Sequence, residues 1–376
     1  MTGKERMLKA FSNSGEPDRV PFEPGLDFDA LTDLSGLDYW EYKEQGRTEL
    51  SELIKWSDKL GFDVYYFLAD IPVANPGRDI KVTTNELQQE DLRIIETNVL
   101  TPKGVIQERR RCPRFAPEYS HEKFIKDINK DWPVFKQYFG VDWQVGQNYF
   151  DKYHCVGDRG VVGAVVHTPI DFWQEYRHGG AEQMIWDCLD QEKLMLEFCE
   201  YYLFHSIEHI KKLGNLDPKP DFMMIHGSTS SASVISPPIF KTYVLPYLQK
   251  VSSLLKDMGI ISLLHVCGKS YEWLDIVANE TDINVMDALE RPPYGNVDLA
   301  RAKKEYGNKL CLKGNVAAIT MAIGTVQQVR DDVRRCIDQG AEGGGFVLAV
   351  GDSIGPKAKL ENIEEFLKTA VEYGKY

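Results

Sequence analysis

The sequence predicts an α/β protein: a (β/α)8 TIM barrel with an inserted β-hairpin and a helical segment near the barrel mouth. Eight short apolar runs of strand length are spread through its 376 residues. Most are separated by longer segments whose apolar residues recur at spacings of three and four, the period of an amphipathic helix. No Gly-rich dinucleotide fingerprint follows an early strand, which counts against an open doubly wound sheet. One barrel with an insertion at about 80–158 accounts for residues 1–376 as a single domain.

In chain order the strands are expected at 19–23 (RVPFE), 63–68 (DVYYFL), 161–166 (VVGAVV), 222–226 (FMMIH), 260–265 (IISLLH), 283–287 (INVMD), 309–314 (KLCLKG) and 345–350 (GFVLAV). Long helical patterns fall at 190–214, 237–259 and 326–340. Two stretches break the alternation. Residues 80–111 alternate polar and apolar side chains around a TPKG turn, as an antiparallel hairpin does. Residues 112–158 are rich in aromatics, proline and charge, and suit either a lid over the barrel mouth or a cover for its flank.

Composition narrows the function. Hydrophobic residues make up 43% and charged residues 27%, ordinary for a globular chain. The net charge of −13 disfavours nucleic acid and anionic membrane surfaces as partners. Seven scattered cysteines read as reduced thiols. No apolar run approaches the ~20 residues of a membrane span, and the N-terminal stretch lacks a signal-peptide apolar core. The expectation is a cytoplasmic protein.

In such a barrel the active site is built at the C-terminal ends of the strands. Those ends offer Glu23, Asp70, His167, His226, His265 with Cys267, Asp287 with Glu290, Asn315 and Asp352. Each residue alone has a plain structural use as a cap or turn former. A polar group at all eight ends is more than a structural rim needs. In LLHVCGKS (263–270), His265 and Cys267 supply a borderline-soft pair suited to zinc, and Gly268 allows the backbone to bring both side chains to one point. A catalytic zinc takes three protein ligands and one open position. Asp352 is the leading third candidate, with Glu23, His226 and Asp287 as alternatives.

Several stretches together resemble the uroporphyrinogen decarboxylase superfamily: KERMLKAFSNSGEPDRVPF, SPPIFKTYVLPYLQKVSSLLKDMG, HVCG, KLCLKGNV and GGGFVLAVGDSIGPKAKLENI. The resemblance implies the barrel independently. It also implies one of two chemistries: decarboxylation of uroporphyrinogen without a cofactor, or zinc-dependent methyl transfer involving a corrinoid protein. In the methyltransferase branch the zinc ligands are the His and Cys of H-x-C and a second Cys near the end of the last strand. These map to His265 and Cys267, and Asp352 stands where the second Cys is expected. Asp70 matches the aspartate that faces the pyrrole nitrogens in decarboxylases. The arginines that would meet eight carboxylates are missing, because the stretch after the first strand reads FEPGLDFDA.

The expected function is therefore methyl transfer from a small methylated substrate, methoxy or similar, to cobalamin carried by a partner corrinoid protein. A zinc held by His265, Cys267 and Asp352 would assist. A carboxylate in place of a thiolate makes the ion harder and better matched to an ether oxygen. Glu23 and Asp70 are the expected catalytic acids. His167, His226, Asp287 and Asn315 are expected to bind substrate. The aromatics Tyr39, Trp40, Tyr42, Tyr65, Tyr66 and Phe67, with those of DFWQEY (171–176), would suit an aromatic or other apolar donor. The alternatives are a cofactor-free decarboxylase and a non-catalytic corrinoid-binding scaffold.

Overall fold

The computed structural model describes residues 1–68, 72–75, 79–139, 142–355 and 357–376. Eight parallel strands form one sheet that wraps into a nearly closed barrel. They are Phe22–Glu23, Val64–Leu68, Gly160–His167, Phe222–His226, Ile261–Val266, Val285–Ala288, Cys311–Val316 and Phe346–Val350. Each pairs with its neighbour in chain order from the second strand to the eighth, and the eighth pairs back to the first. The seam between the first two strands is bridged by the Asp63 amide, which donates to Phe22 O at 3.0 Å.

Apolar side chains fill the barrel in layers. Val161, Phe222, Met224, Leu263, Val285, Cys311 and Val347 form a buried inner cluster. Met7, Ala10 and Phe11 of the helix Gly3–Phe11 belong to the same cluster and plug its lower end. A side chain at Gly163 would collide with the Phe222 ring, since a Cβ there would lie 2.4 Å from its tip. Tyr65 stacks on the other part of that ring, with centroids 5.0 Å apart. The plug is tied down by Arg6, whose guanidinium donates to Asp63 at 2.5 Å, and Arg19 donates to the same carboxylate. With the Phe22 amide, four N–H groups meet this one buried carboxylate and offset its lost hydration.

The outer helices follow the predicted periodicity with two breaks. The pattern at 190–214 continues an earlier helix, Gly180–Asp190, and resumes as Glu192–Gly214. The pattern at 237–259 begins as Pro237–Ile239, widens through Phe240–Val244 and continues as Leu245–Asp257. Pro246 lacks the N–H that a regular ladder needs there, which accounts for the widened turn.

The insertion is larger than a hairpin. Strands Lys81–Gln89, Leu92–Thr101, Gly104–Pro113 and Tyr119–Glu122 make a four-stranded antiparallel sheet. Only its second turn, at TPKG, was signalled by a turn residue. The first turn has no glycine, and Glu90 takes the left-handed conformation at φ 36°. Helix Ile128–Phe139 lies against the flank, where Trp132 meets Trp173 and Phe198 edge-on at 5.6 and 5.4 Å. Among the described residues, none from 112–158 lines the cavity at the barrel mouth, so this segment covers the flank. The segment leaning over the mouth comes instead from residues 25–49, through Gly25, Leu26, Asp27 and Glu49. Among the described residues no helix is long and apolar enough to cross a membrane.

Candidate functional site

Residues two apart on a strand share a face. Phe222 and Met224 lie in the inner cluster, so His226 follows them at the top of the barrel interior. By the same rule Leu263 leads to His265, Val285 to Asp287 and Cys311 to Lys313. Strand register aligns His167, His226, His265, Asp287 and Lys313 across five neighbouring strands. Four members of this row, His226, His265, Asp287 and Lys313, floor a cavity of about 250 Å³, walled by Tyr65, Phe67, Met224 and Val350 and rimmed by Glu23, Asp27, Glu49 and Asp352. Among the described lining residues there is no arginine, and Lys313 is the one lysine.

The row is chemically linked. Lys313 Nζ donates to Glu23 Oε1 at 2.7 Å and to Asp287 Oδ1 at 3.1 Å. Asp287 Oδ2 lies 2.8 Å from His265 Nδ1, and His265 Nε2 lies 3.1 Å from Cys267 Sγ. Burial pushes the Asp287 carboxyl up, but Lys313 and His265 outweigh it and hold it below the ordinary carboxylate value. Burial also opposes the Lys313 charge, and Asp287 and Glu23 more than offset that, so its pKa is raised. His226 is pushed down to about 4 by burial and by the neighbouring His265, which keeps it neutral. Its Nε2 lies 3.1 Å from Ser228 Oγ, which in turn lies 3.4 Å from Cys267 Sγ.

Cys267 reaches this point because the chain turns sharply after Val266. Gly268 is left-handed at φ +71°, and a Cβ there would lie 2.6 Å from Ser233 Oγ. Its amide donates to the Glu290 carboxylate, which fixes the turn. The last strand delivers Asp352 to the same place. Donor atoms of His265, Cys267 and Asp352 all lie within 4.8 Å of one another, the one such group of three among the described residues. Zinc bonds of about 2.0–2.3 Å in a tetrahedron place ligands roughly 3.3–3.8 Å apart, so a modest contraction of this triangle fits the ion. An imidazole nitrogen, a cysteine sulfur and a carboxylate oxygen make a three-ligand donor set of the catalytic zinc type.

The other expected site residues fall in different places. Glu23, His226 and Asp287, the alternative third ligands, line the cavity; Glu23 meets Lys313, Asp287 meets His265 and Lys313, and His226 meets Ser228 through Nε2, its Nδ1 being buried with no hydrogen-bond partner. His167 stands 5.1 Å from His226, ring to ring, behind the cavity wall rather than in it, and burial pushes its pKa to about 3. Asn315 is also off the cavity. Its amide donates to Leu289 O at 2.9 Å, and its Oδ1 accepts from Arg335, on the outer face of the strand. Asp70 lies outside the described residues. Of the aromatics, Tyr65 and Phe67 line the cavity, whereas Tyr42 and Tyr66 are buried in the core. Lys313, Ser228 and Met224 were not singled out from the sequence. The parity of Lys313 with Cys311, two positions earlier, was the available signal.

A larger hollow of about 450 Å³ lies between Tyr39–Glu44 and the inserted sheet. Its cations are paired locally, Lys43 with Glu118 and Arg93 with Glu44, and it holds no comparable cluster of reactive groups.

Comparison with known proteins gives two kinds of relative. A methylcobamide:CoM methyltransferase, MtaA of Methanosarcina barkeri, is 28% identical over 154 residues, 41% of this chain and 42% of that protein. The methylcobamide:CoM methyltransferase MtbA of Methanosarcina mazei is 24% identical over 180 residues, 48% of each chain. A uroporphyrinogen decarboxylase of Syntrophotalea carbinolica is 30% identical over 134 residues, 35% of this chain and 36% of that protein. The chain thus matches less than half the length of each of these relatives. A solved methyltransferase from Methanosarcina mazei shares the fold over 99% of both chains, with a TM-score of 0.65 at 17% identity. The model of the uroporphyrinogen decarboxylase (URO-D) family matches residues 160–373, which hold six of the eight barrel strands, from Gly160–His167 onward. With more than half of its length matched by that model, the chain belongs to the uroporphyrinogen decarboxylase family.

Proposed function

We propose that the protein transfers a methyl group from a small methylated donor, methoxy or similar, to the cobalt of a corrinoid carried by a partner protein. The observation that carries this reading is the triangle of His265, Cys267 and Asp352, two of which, His265 and Asp352, line a small cavity with no arginine among its described lining residues. The relatives named methylcobamide:CoM methyltransferase support methyl transfer with a corrinoid. The fold likeness adds the barrel alone.

His265, Cys267 and Asp352 would hold a zinc ion, and the ion when bound would supply a Lewis acid for the donor's oxygen. Asp287 accepts from His265 Nδ1 and so turns Nε2 toward the cluster, the usual support for a metal-bound imidazole. Ser228 sits where its hydroxyl can donate to the Cys267 sulfur. Tyr65, Phe67 and Met224 give the donor an apolar wall that excludes water from the reacting atoms. Glu23 lines the same space as the ion-pair partner of Lys313.

The match to a uroporphyrinogen decarboxylase favours a second reading, decarboxylation without a cofactor. A cavity of about 250 Å³ rimmed by Glu23, Asp27, Glu49 and Asp352 is small and has the wrong sign for a tetrapyrrole with eight carboxylates. The two readings part on one set of measurements. Methyl transfer predicts about one zinc per chain, loss of that zinc in Cys267→Ala, and methylation of a reduced corrinoid protein by some member of a methoxy-donor panel. Activity on a porphyrinogen by metal-stripped protein would overturn it.

A further inference from the structure

Lys313 has a geometry that neither the ion-pair network nor the metal cluster uses up. Its Nζ meets Glu23 Oε1 at 2.7 Å and Asp287 Oδ1 at 3.1 Å, and it lies 4.5 Å from the centroid of the Tyr65 ring. An ammonium carries three N–H groups. Two go to the carboxylates, and the ammonium's remaining contact is the face of the Tyr65 ring, a weak partner that lines the cavity with Lys313 and yields to a stronger acceptor. We infer that this third N–H serves the leaving oxygen of a methyl ether, making Lys313 a catalytic residue that takes up the negative charge developing there. The inference rests on the demethylation reading above and names the residue that answers the departing oxygen.

The competing groups are otherwise engaged. Glu23 accepts from Lys313 on one oxygen and from the Gly25 amide on the other, at 2.7 Å. Both of its oxygens already serve as acceptors. Tyr65 Oη donates toward Met224 Sδ at 3.6 Å, and His226 meets Ser228 through Nε2, while its Nδ1 is buried with no hydrogen-bond partner. Lys313 stays charged at any working pH because its two carboxylates hold its pKa up. A fixed cation with low exposure, aimed where charge develops, acts in a medium of low effective dielectric.

The step balances simply. The methyl carbon–oxygen bond breaks and its electron pair passes to oxygen. The methyl carbon bonds to the nucleophile that supplies a new pair, a reduced cobalt corrinoid brought by the partner. The oxygen is held by the Lys313 N–H and takes its proton from solvent on release. Ethers with poor leaving groups build more charge on oxygen and need Lys313 most. An aryl ether also suits the apolar wall of Tyr65, Phe67 and Met224.

The test uses metal-loaded enzyme, a reduced corrinoid protein and ring-substituted methoxybenzenes graded by leaving-group acidity. Lys313→Met is expected to lower kcat about 10²–10³-fold for methoxybenzene itself, and far less for nitro-substituted donors. Because Lys313→Met strands two buried carboxylates, Lys313→Met/Glu23→Gln serves as a better-folded second variant. A readout without turnover accompanies it: binding of 4-nitrophenol, whose phenolate absorbs in the visible. Wild-type protein should bind the phenolate preferentially, and both variants should lose that preference by about one pH unit or more. An equal loss for every leaving group, or an unchanged phenolate preference in the variants, overturns the role. If wild type demethylates no ether, the demethylation reading falls, while the phenolate measurement still decides whether Lys313 meets an oxyanion in this cavity.

Discussion

Asp287→Asn is nearly isosteric, yet it should cost the site much of its metal. Asp287 is 4% exposed and accepts from both sides: His265 Nδ1 at 2.8 Å on one oxygen, Lys313 Nζ at 3.1 Å on the other. An asparagine offers one acceptor and one donor. If its carbonyl faces His265, its NH2 points at the Lys313 ammonium. If it flips, the NH2 points at the His265 N–H. Either orientation sets donor against donor in a buried place, losing a charge-assisted hydrogen bond of about 1.5–3 kcal/mol. Passed to the orientation of His265, that loss weakens metal binding by about 10–100-fold, the usual range for removal of such a support. Asp287→Ala should in addition destabilise the fold by about 3–5 kcal/mol, since Lys313 is left buried with Glu23 alone.

The measurement is zinc affinity by competition with a chromophoric chelator at neutral pH, beside urea unfolding of the same samples. The double variant Asp287→Asn/Lys313→Met is the deciding comparison. It removes the ammonium that opposes the asparagine NH2, so the carbonyl can serve His265 again. Its zinc affinity should recover part of the loss seen in Asp287→Asn. Wild-type affinity in Asp287→Asn, or a double variant that binds no better than the single, would refute the reasoning.

Asp352→Cys should tighten zinc and lower the rate with ether donors, because a second thiolate softens the ion; chelator competition and corrinoid methylation read the two effects. His209, 9% exposed on the helix Glu192–Gly214, is pushed down to about 4 by burial and by Lys212. The unfolded chain therefore takes up a proton first as pH falls below about 6.5, so this contribution to stability is whole above that value and is lost toward pH 4. Between pH 7 and 4.5 wild type should lose about 2.5 kcal/mol more than His209→Gln in urea unfolding, and equal losses would show that His209 is not involved. On the flank, Asp187 is 3% exposed and accepts from Arg177 at 2.7 Å and from Trp173 Nε1 at 2.8 Å. Asp187→Ala should cost about 3–5 kcal/mol by chemical denaturation with zinc content unchanged, since the pair lies outside the metal cluster.

The barrel was legible because buried parallel strands read as short apolar runs and their helices keep a clean period. The strand expected at 222–226 is Phe222–His226, and the helix expected at 326–340 is Val326–Gly340. The inserted sheet was half legible. Its TPKG turn announces itself, whereas the turn at Glu90 rests on a residue with no special preference for the left-handed region. Asn315 was misplaced for a local reason. It keeps the parity of Cys311 and Lys313, but Gly314 between them sits at φ +146°, where a Cβ would meet Ala288 O at 2.4 Å. That conformation breaks the pleat, and the Asn315 side chain leaves the interior.

Lys313 was overlooked for the opposite reason: it obeys the pleat. In KLCLKG a lysine near the end of an apolar run reads as the strand's polar terminus, but inward parity places it beside Asp287 in the aligned row. A buried lysine is tolerable only with carboxylates to meet it, and Glu23 and Asp287 come from the first and sixth barrel strands. Neither is near Lys313 in sequence, so their relation exists only once the barrel closes. The same closure brings Asp352 of the eighth strand to His265 and Cys267 of the fifth. Two three-part clusters, one for a metal and one carrying a fixed cation, therefore share a wall through the Asp287–His265 hydrogen bond. Methyl transfer from an ether needs both ends of the donor oxygen's problem answered, polarisation before the bond breaks and charge uptake afterwards. On the proposed reading the His265–Cys267–Asp352 triangle answers the first and Lys313 the second, and Asp287, hydrogen-bonded to both His265 and Lys313, is the residue whose replacement should disturb the two together.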